Sequence, residues 1–224
     1  KELPSPSETI LKKIEESELD YLIEDLPQTI GSMKEGIDRI TEISKSMRTF
    51  SRGDTATKIA FNIHEGIDST LLILKHRLKA NQSRPEIEIV KNYGELPEVN
   101  CYPGQLNQVF MNLIANAIDA LEEGNSGRSF EEIKVHPNRI TITTEVDGQK
   151  PKVLVKIKDN GIGMSKEVKE KVFQHLFTTK VVGKGTGLGL SISRQIVEGK
   201  HGGKITLISA EGKGTEFAIA LPLT

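Results

Sequence analysis

One cysteine, no tryptophan and an aromatic content of 4% set the first limits on this 224-residue chain. The lone thiol, Cys101, excludes an internal disulfide and any multi-cysteine metal site, and fits a reducing compartment. No run of 18 apolar residues occurs, so no stretch of the sequence is suited to span a bilayer. Neither sign of charge dominates. Against 30 Lys and Arg stand 31 Asp and Glu, a formal net charge of −1, which gives no electrostatic case for nucleic acid or an anionic membrane. The expectation is a cytoplasmic region without nucleic-acid or membrane contact. The sequence starts at Lys1 with no signal-like segment and reads as a piece of a longer chain. Hydrophobic residues, at 36%, suffice for one compact core plus helices that bury surface elsewhere. Glycine is what the chain has in excess, and unevenly: nine of its 20 glycines fall between Gly183 and Gly214.

Residues 1–16 carry two prolines and mixed charge and read as a linker. Leu19, Ile23, Leu26, Ile30, Met33, Ile37, Ile40 and Met47 then recur at alternating spacings of three and four, broken only at Ser44. This heptad-like stripe predicts a helix packed along a partner helix. With Pro27 tolerated near a helix start, the helix is placed at about 26–51 within a dimerisation segment, 17–53. No second long heptad helix is available to cover it, so the expected partner is another copy, through residues 19–51, or an upstream helix. Gly53-Asp54 opens a second unit, 54–224. There, strands are expected at 57–63, 87–93, 138–146, 151–158, 203–209 and 215–221, and helices at 64–79, 105–122, 165–177 and 190–198. Residues 124–137 read as a surface loop. Helices interleaved with antiparallel strands predict an α+β fold, a two-layer arrangement of a mixed, mostly antiparallel sheet with helices on one face.

Three stretches carry chemistry. On helix 105–122, Val109, Phe110, Leu113, Ile114, Ala117, Ile118 and Leu121 make an apolar side. Opposite lie Gln105, Gln108, Asn112, Asn116, Asp119 and Glu123 on one stripe. Asparagine is a poor helix former, so Asn112 and Asn116 at i and i+4 aim amide oxygens at something, or merely line a solvated face. Asp159-Asn160-Gly161-Ile162-Gly163 follows a strand. Asn-Gly there is a hairpin signal, but Ser165 as N-cap starts a helix instead. Two glycines behind Asp159 let backbone and carboxylate approach a planar ligand with an exocyclic amine, as adenine has. Gly183 to Ile192 is a glycine-rich loop running into a helix N-terminus, which offers free N–H groups to phosphates. It matches neither a P-loop nor a dinucleotide fingerprint. Lys180 precedes it, placed to meet a terminal phosphate or to be solvated.

In this order, the three stretches resemble the ATP-binding catalytic domain of sensor histidine kinases, in the wider superfamily of type II topoisomerases and mismatch-repair ATPases with the Bergerat fold. The resemblance covers residues 55–224 and is closest to kinases of the kind found in cyanobacteria. Asn112-Leu-Ile-Ala-Asn116 resembles the asparagine box, and the resemblance implies that its amides hold Mg²⁺ against the phosphates of ATP. Asp159-x-Gly161-x-Gly163 resembles the first glycine box, with Asp159 on the adenine amine. Phe173 and Phe177-Thr-Thr179-Lys180 resemble the phenylalanine box of a lid. Gly185-Thr186-Gly187-Leu188-Gly189-Leu190 resembles the second glycine box. Gly212 to Phe217 resembles the closing one, with Thr215 near the adenine. Asp25 through Arg52 resembles the second helix of the dimerisation and phosphotransfer hairpin. The implied partner is a response-regulator receiver domain. Two departures stand out: Gln174-His175-Leu176 in the lid, and Asp119 where many relatives carry a basic or aromatic residue, which puts its phosphate role in question.

Topoisomerase-type members carry a glutamate four residues before the essential asparagine as the base for hydrolysis. Here that position is Asn112, which takes no proton at neutral pH, so transfer is favoured over hydrolysis. The transfer needs an acceptor histidine, followed by an acidic residue and proline. His64-Glu65 lacks the proline, and His76, His136, His175 and His201 lack the context. No catalytic acceptor is therefore expected within the chain, which should bind Mg-ATP without labelling itself. The lid, about 164–189, is expected to order on binding. The alternatives are a hydrolytic ATPase or a nucleotide-gated dimerisation module without transfer.

Overall fold

The computed structural model describes residues 57–148, 151–180 and 187–223, together with ten positions between 25 and 41. Contacts divide the chain into two units, Lys1–Lys45 and Ser46–Thr224. In the first unit every described position is helical, and Leu26, Ile30, Met33 and Ile37, spaced four, three and four, are all more than half exposed. The ends of the expected helix and the 1–16 linker lie outside the described residues.

The second unit is built on a five-stranded sheet. In chain order its elements begin with β1 (Ile59–Phe61), α1 (Ile63–Ile73), α2 (Lys75–Leu78), β2 (Glu88–Tyr93), β3 (Val99–Cys101), α3 (Pro103–Gly124) and α4 (Phe130–Val135). β4 (Arg139–Asp147), β5 (Lys152–Asp159), α5 (Lys166–Lys171), α6 (Gly189–Arg194), a π-helical turn (Gln195–Lys200), β6 (Lys204–Ser209) and β7 (Thr215–Pro222) complete it. The sheet order is β2-β4-β5-β7-β6, parallel between β2 and β4 and antiparallel elsewhere, while β1 and β3 form a separate antiparallel pair. This is the α+β architecture read from the sequence.

Alternation positions the core. Ile140, Ile142, Val153, Val155, Ile157, Phe217, Ile219 and Leu221 turn inward at two-residue spacing and are at most 4% exposed. Against them lies α3, started by Pro103, whose missing N–H costs nothing at the first helical position. Its Leu106, Val109, Phe110, Leu113, Ile114, Ile118 and Leu121 are buried in the same cluster. α1, capped by the Asn62 side chain on the His64 N–H, packs on α3 through Ile63, Ile67 and Leu71. Cys101 is fully buried, and that burial pushes its thiol up to about 12 against the opposing charge of Lys58, leaving an inert apolar filler.

Several boundaries differ from expectation. Residues 124–137 are not a plain loop: Ser129 Oγ accepts the Glu132 N–H and the Glu132 carboxylate accepts the Ser129 N–H, a capping box that starts α4. The helix expected over 165–177 lasts only from Lys166 to Lys171, and Leu176 sits at φ 63° in the turns that follow. The helix expected over 64–79 breaks at Leu74, where ψ is 0°. The helix expected over 190–198 begins at Gly189 and widens into the π turn after Arg194. β3 has no counterpart among the expected strands, because three residues are too few to show alternation.

Candidate functional site

A cavity of about 730 Å³ opens beside the polar stripe of α3. Asn112, Asn116, Asp119 and Glu123 form that side of it. They project together because i, i+4, i+7 and i+11 positions share one helical face. Ile162, Gly163, Met164 and Val168 line another part, and Phe177, Thr179 and Lys180 come from the segment after α5. Gly187, Gly189, Leu190 and Thr215 also face the cavity. Most residues singled out from the sequence are thus brought to one place. Leu188 occupies the N-cap position of α6 and is not part of the lining, and Gly185 and Thr186 lie outside the described residues.

Asp159 and Gly161 also stand one layer back. Asp159 is 3% exposed, and its Oδ1 accepts the N–H of Gly161 at 2.9 Å and of Thr215 at 3.3 Å. Burial raises this carboxyl above its ordinary value, and the backbone donors offset part of the rise. A side chain at Gly161 would put its Cβ 2.8 Å from the Ala120 backbone, so only glycine lets this turn lie against α3. Thr215 is buried, and its Oγ1 shares a hydrogen bond with Ser209 Oγ at 2.9 Å.

Asn112 Nδ2 donates to the Gly189 carbonyl at 3.1 Å and to Ser193 Oγ at 3.3 Å. The amide nitrogen is thereby turned toward α6, which leaves Oδ1 as the acceptor of that side chain. Lys180 Nζ donates to Asn116 Oδ1 at 3.3 Å and forms an ion pair with Asp119 Oδ2. Burial alone would raise the Asp119 carboxyl, but hydrogen bonds from Lys180 and Arg77 outweigh it and hold the group below its ordinary value. Sequence reasoning missed Arg77, which lies 42 residues from Asp119 and pairs with it at 2.7 Å. It gave no role of their own to Ile162, Met164 and Leu190, apolar walls suited to a planar ring, although Ile162 and Leu190 stand inside the two glycine-rich stretches; their helical or loop positions gave no periodic signal. Among the described residues no three His, Cys, Asp or Glu side chains gather as a metal cluster. The amide oxygens of Asn112 and Asn116 are nevertheless hard donors of the kind a hydrated Mg²⁺ accepts alongside phosphates.

Residues 101–224 match the family of histidine kinase-, DNA gyrase B-, and HSP90-like ATPases. Sporulation kinase E of Bacillus subtilis is 39% identical over 154 residues, which is 69% of this chain and 18% of that protein. The phytochrome-like protein Cph1 of Synechocystis sp. is 31% identical over 230 residues, 99% of this chain and 28% of that protein. The chain thus spans less than a third of the length of either relative. Among solved structures, the nucleotide-free catalytic domain of the histidine kinase ThkA superposes with a TM-score of 0.59 at 32% identity, covering 75% of this chain and 96% of that one. ThkA in complex with the response regulator protein TrrA gives 0.57 at 26% identity, covering 89% and 52%.

Proposed function

The chain belongs to the family of histidine kinase-, DNA gyrase B-, and HSP90-like ATPases, and from that premise we propose that it is the ATP-binding catalytic region of a sensor histidine kinase. It transfers the γ-phosphoryl of ATP to a histidine on a helix supplied from outside these 224 residues, for relay to an aspartate of a response-regulator receiver domain. One observation carries the choice of transfer over hydrolysis. Asn112 stands on the cavity wall with its amide nitrogen bonded to Gly189 and Ser193, and an amide is no base for activating water.

Asp159, with Gly161 and Gly163 beside it, takes the adenine amine, and Thr215 backs the ring. Phe177, Thr179 and Lys180 belong to a lid, while the loop from Gly185 and Thr186 through Gly187, Leu188 and Gly189 presents backbone N–H groups to the phosphates. Asn112 and Asn116 hold Mg²⁺, which when bound spreads the charge developing on the transferred group. Closure of the lid excludes water from the phosphates. Residues 17–53 are the dimerisation segment, and the exposed stripe of Leu26, Ile30, Met33 and Ile37 supports a second copy as its partner. The region acts in the cytoplasm.

The test mixes the 224-residue chain and Mg-ATP labelled at the γ position with a histidine-bearing dimerisation helix. Acid-labile, alkali-stable phosphate is expected on that helix, and none on the chain alone. Steady release of inorganic phosphate without any phosphohistidine would overturn the proposal, and so would labelling of the chain itself that is lost in His64→Ala.

A further inference from the structure

A run of alternating charges leads from the cavity into the second unit's interior. At the cavity end Lys180 touches Asp119 and Asn116. The other Asp119 oxygen, Oδ1, accepts Arg77 Nη2 at 2.7 Å, and the same nitrogen donates to Glu122 Oε2 at 2.8 Å. Glu122 Oε1 in turn lies 3.4 Å from Arg84 Nη2. Arg84 is 2% exposed and donates through Nη1 to the carbonyl oxygens of Lys79 and Pro85, each at 3.0 Å. The far end of the run is therefore fixed. Arg77 is set back from the cavity, but the carboxylate it holds is part of the wall.

We propose that Arg77 is a charge-compensating positioning residue of the nucleotide site, holding the Asp119 carboxylate neutralised so that Lys180 is free to leave it for the phosphates. The inference rests on the nucleotide-binding reading of the cavity. Lys180 carries one positive charge, which cannot neutralise both Asp119 and a phosphate group. When it turns to phosphate, Asp119 loses one of its two cations. With Arg77 in place the carboxylate keeps the other, and the run of Asp119, Arg77, Glu122 and Arg84 carries no net charge. Without Arg77, an unpaired and half-buried carboxylate faces the phosphates. At an effective dielectric of about 20 and a separation of about 8 Å, one such like-charge pair corresponds to roughly thirtyfold in affinity before salt screening. The penalty grows with the number of phosphates on the ligand and vanishes for a ligand with none. A residue that merely packs α2 onto α3 has no such dependence.

The experiment measures calorimetric dissociation constants of adenosine, ADP and ATP, with Mg²⁺ present, for the wild type, Arg77→Gln, Arg77→Lys, Asp119→Asn and the Arg77→Gln/Asp119→Asn pair. Arg77→Gln is expected to leave adenosine within about twofold, to weaken ADP, and to weaken ATP about tenfold or more. Arg77→Lys keeps the charge and stays near the wild type. In the Asp119→Asn background the Arg77→Gln change has a much smaller effect on ATP, because the carboxylate on the cavity wall is gone and Glu122 keeps Arg84. Arg77→Met, which keeps the apolar stem, gives the same ladder by a second route should the glutamine variant fold poorly. Equal weakening of all three ligands, or a full ATP defect persisting with Asp119→Asn, overturns the inference while leaving the nucleotide-binding reading intact. A wild type that binds no ATP overturns both.

Discussion

The Asp159 carboxylate binds the backbone N–H of Thr215, 56 positions further along the chain, and joins the end of β5 to the start of β7 beneath the cavity. The same oxygen takes the Gly161 N–H, so one buried acceptor serves both turns. Asp159→Ala leaves two donors without their partner, at about 1–3 kcal/mol each. It is expected to lower the urea midpoint and weaken ATP binding together. Asp159→Asn keeps an acceptor oxygen and loses the charge. It should retain most of the stability and still lose at least about tenfold in ATP affinity, the scale of one charge-assisted hydrogen bond. Calorimetry beside urea unfolding separates the two effects. An Asn variant with wild-type affinity would remove Asp159 from the ligand-binding role.

His201 ties the π turn to the start of α3. Its Nε2 accepts the Tyr102 N–H at 3.0 Å, and its Nδ1 lies 2.9 Å from the Ile196 carbonyl, so the neutral ring with its proton on Nδ1 satisfies both. Protonating Nε2 would set donor against donor. Burial lowers the imidazole below its ordinary 6.5, and the Ile196 bond only partly offsets that. The unfolded chain therefore takes up the proton first. The contribution to stability is complete above about pH 6.5 and is lost as the pH falls toward the lowered folded value, with a slope of at most about 1.4 kcal/mol per pH unit. His64, also lowered chiefly by burial, adds to the same trend. Urea unfolding from pH 7.5 to 5.5 should show the loss, and His201→Gln, which keeps an acceptor, should show less of it. An unchanged slope in the variant would assign the effect elsewhere.

The sequence revealed the elements whose pattern repeats. The strands of the sheet and the buried side of α3 carry two- and 3.6-residue periods over eight or more residues, and these became β4, β5, β7 and α3 near the expected bounds. Asn112, Asn116 and Asp119 share a helix face, so their convergence on one cavity followed from spacing alone. Arg77 could not be found this way. Its link to Asp119 exists only once α2 folds back on α3, and no local pattern encodes a contact 42 residues away. The over-extended helix at 165–177 has the opposite cause. Its apolar residues keep helical spacing, but Phe173 is drawn edge-on to Phe217, at 6.3 Å, and under Arg194. The tertiary contacts replace the helix continuation.

α4 had a readable signal that composition hid. Ser129-Phe-Glu-Glu132 fits the capping-box pattern inside a glycine- and serine-rich stretch, and only Ile133 of the helix is buried. With one buried side chain to hold it, the helix depends on its cap. Ser129→Ala should cost about 1 kcal/mol and speed amide exchange across residues 130–135 without touching ATP affinity. Unaltered exchange there would mean that Ile133 alone holds the helix.

Gly212 and Gly214 give a matched pair in one turn. Both are left-handed, at φ 70° and 77°, so alanine is strained at either by about 1–2 kcal/mol. Their surroundings differ. A Cβ at Gly212 meets nothing within 4 Å, whereas one at Gly214 would stand 2.0 Å from the Asp159 carbonyl oxygen and 2.9 Å from the Asn160 Cα. Backbone on both sides cannot yield as a side-chain tip does. Relief requires β7 to withdraw from the Asp159 turn, and that breaks the Thr215 bond to the carboxylate. Gly212→Ala is therefore expected to cost only the conformational strain and to bind ATP normally. Gly214→Ala should lose about 4 kcal/mol or more and most of its ATP binding, since the Thr215 end of the cavity is rebuilt with it. Paired urea titrations and ATP calorimetry read both. Equal penalties in the two variants would mean that the turn moves freely and that the close approach at Gly214 does not shape the site.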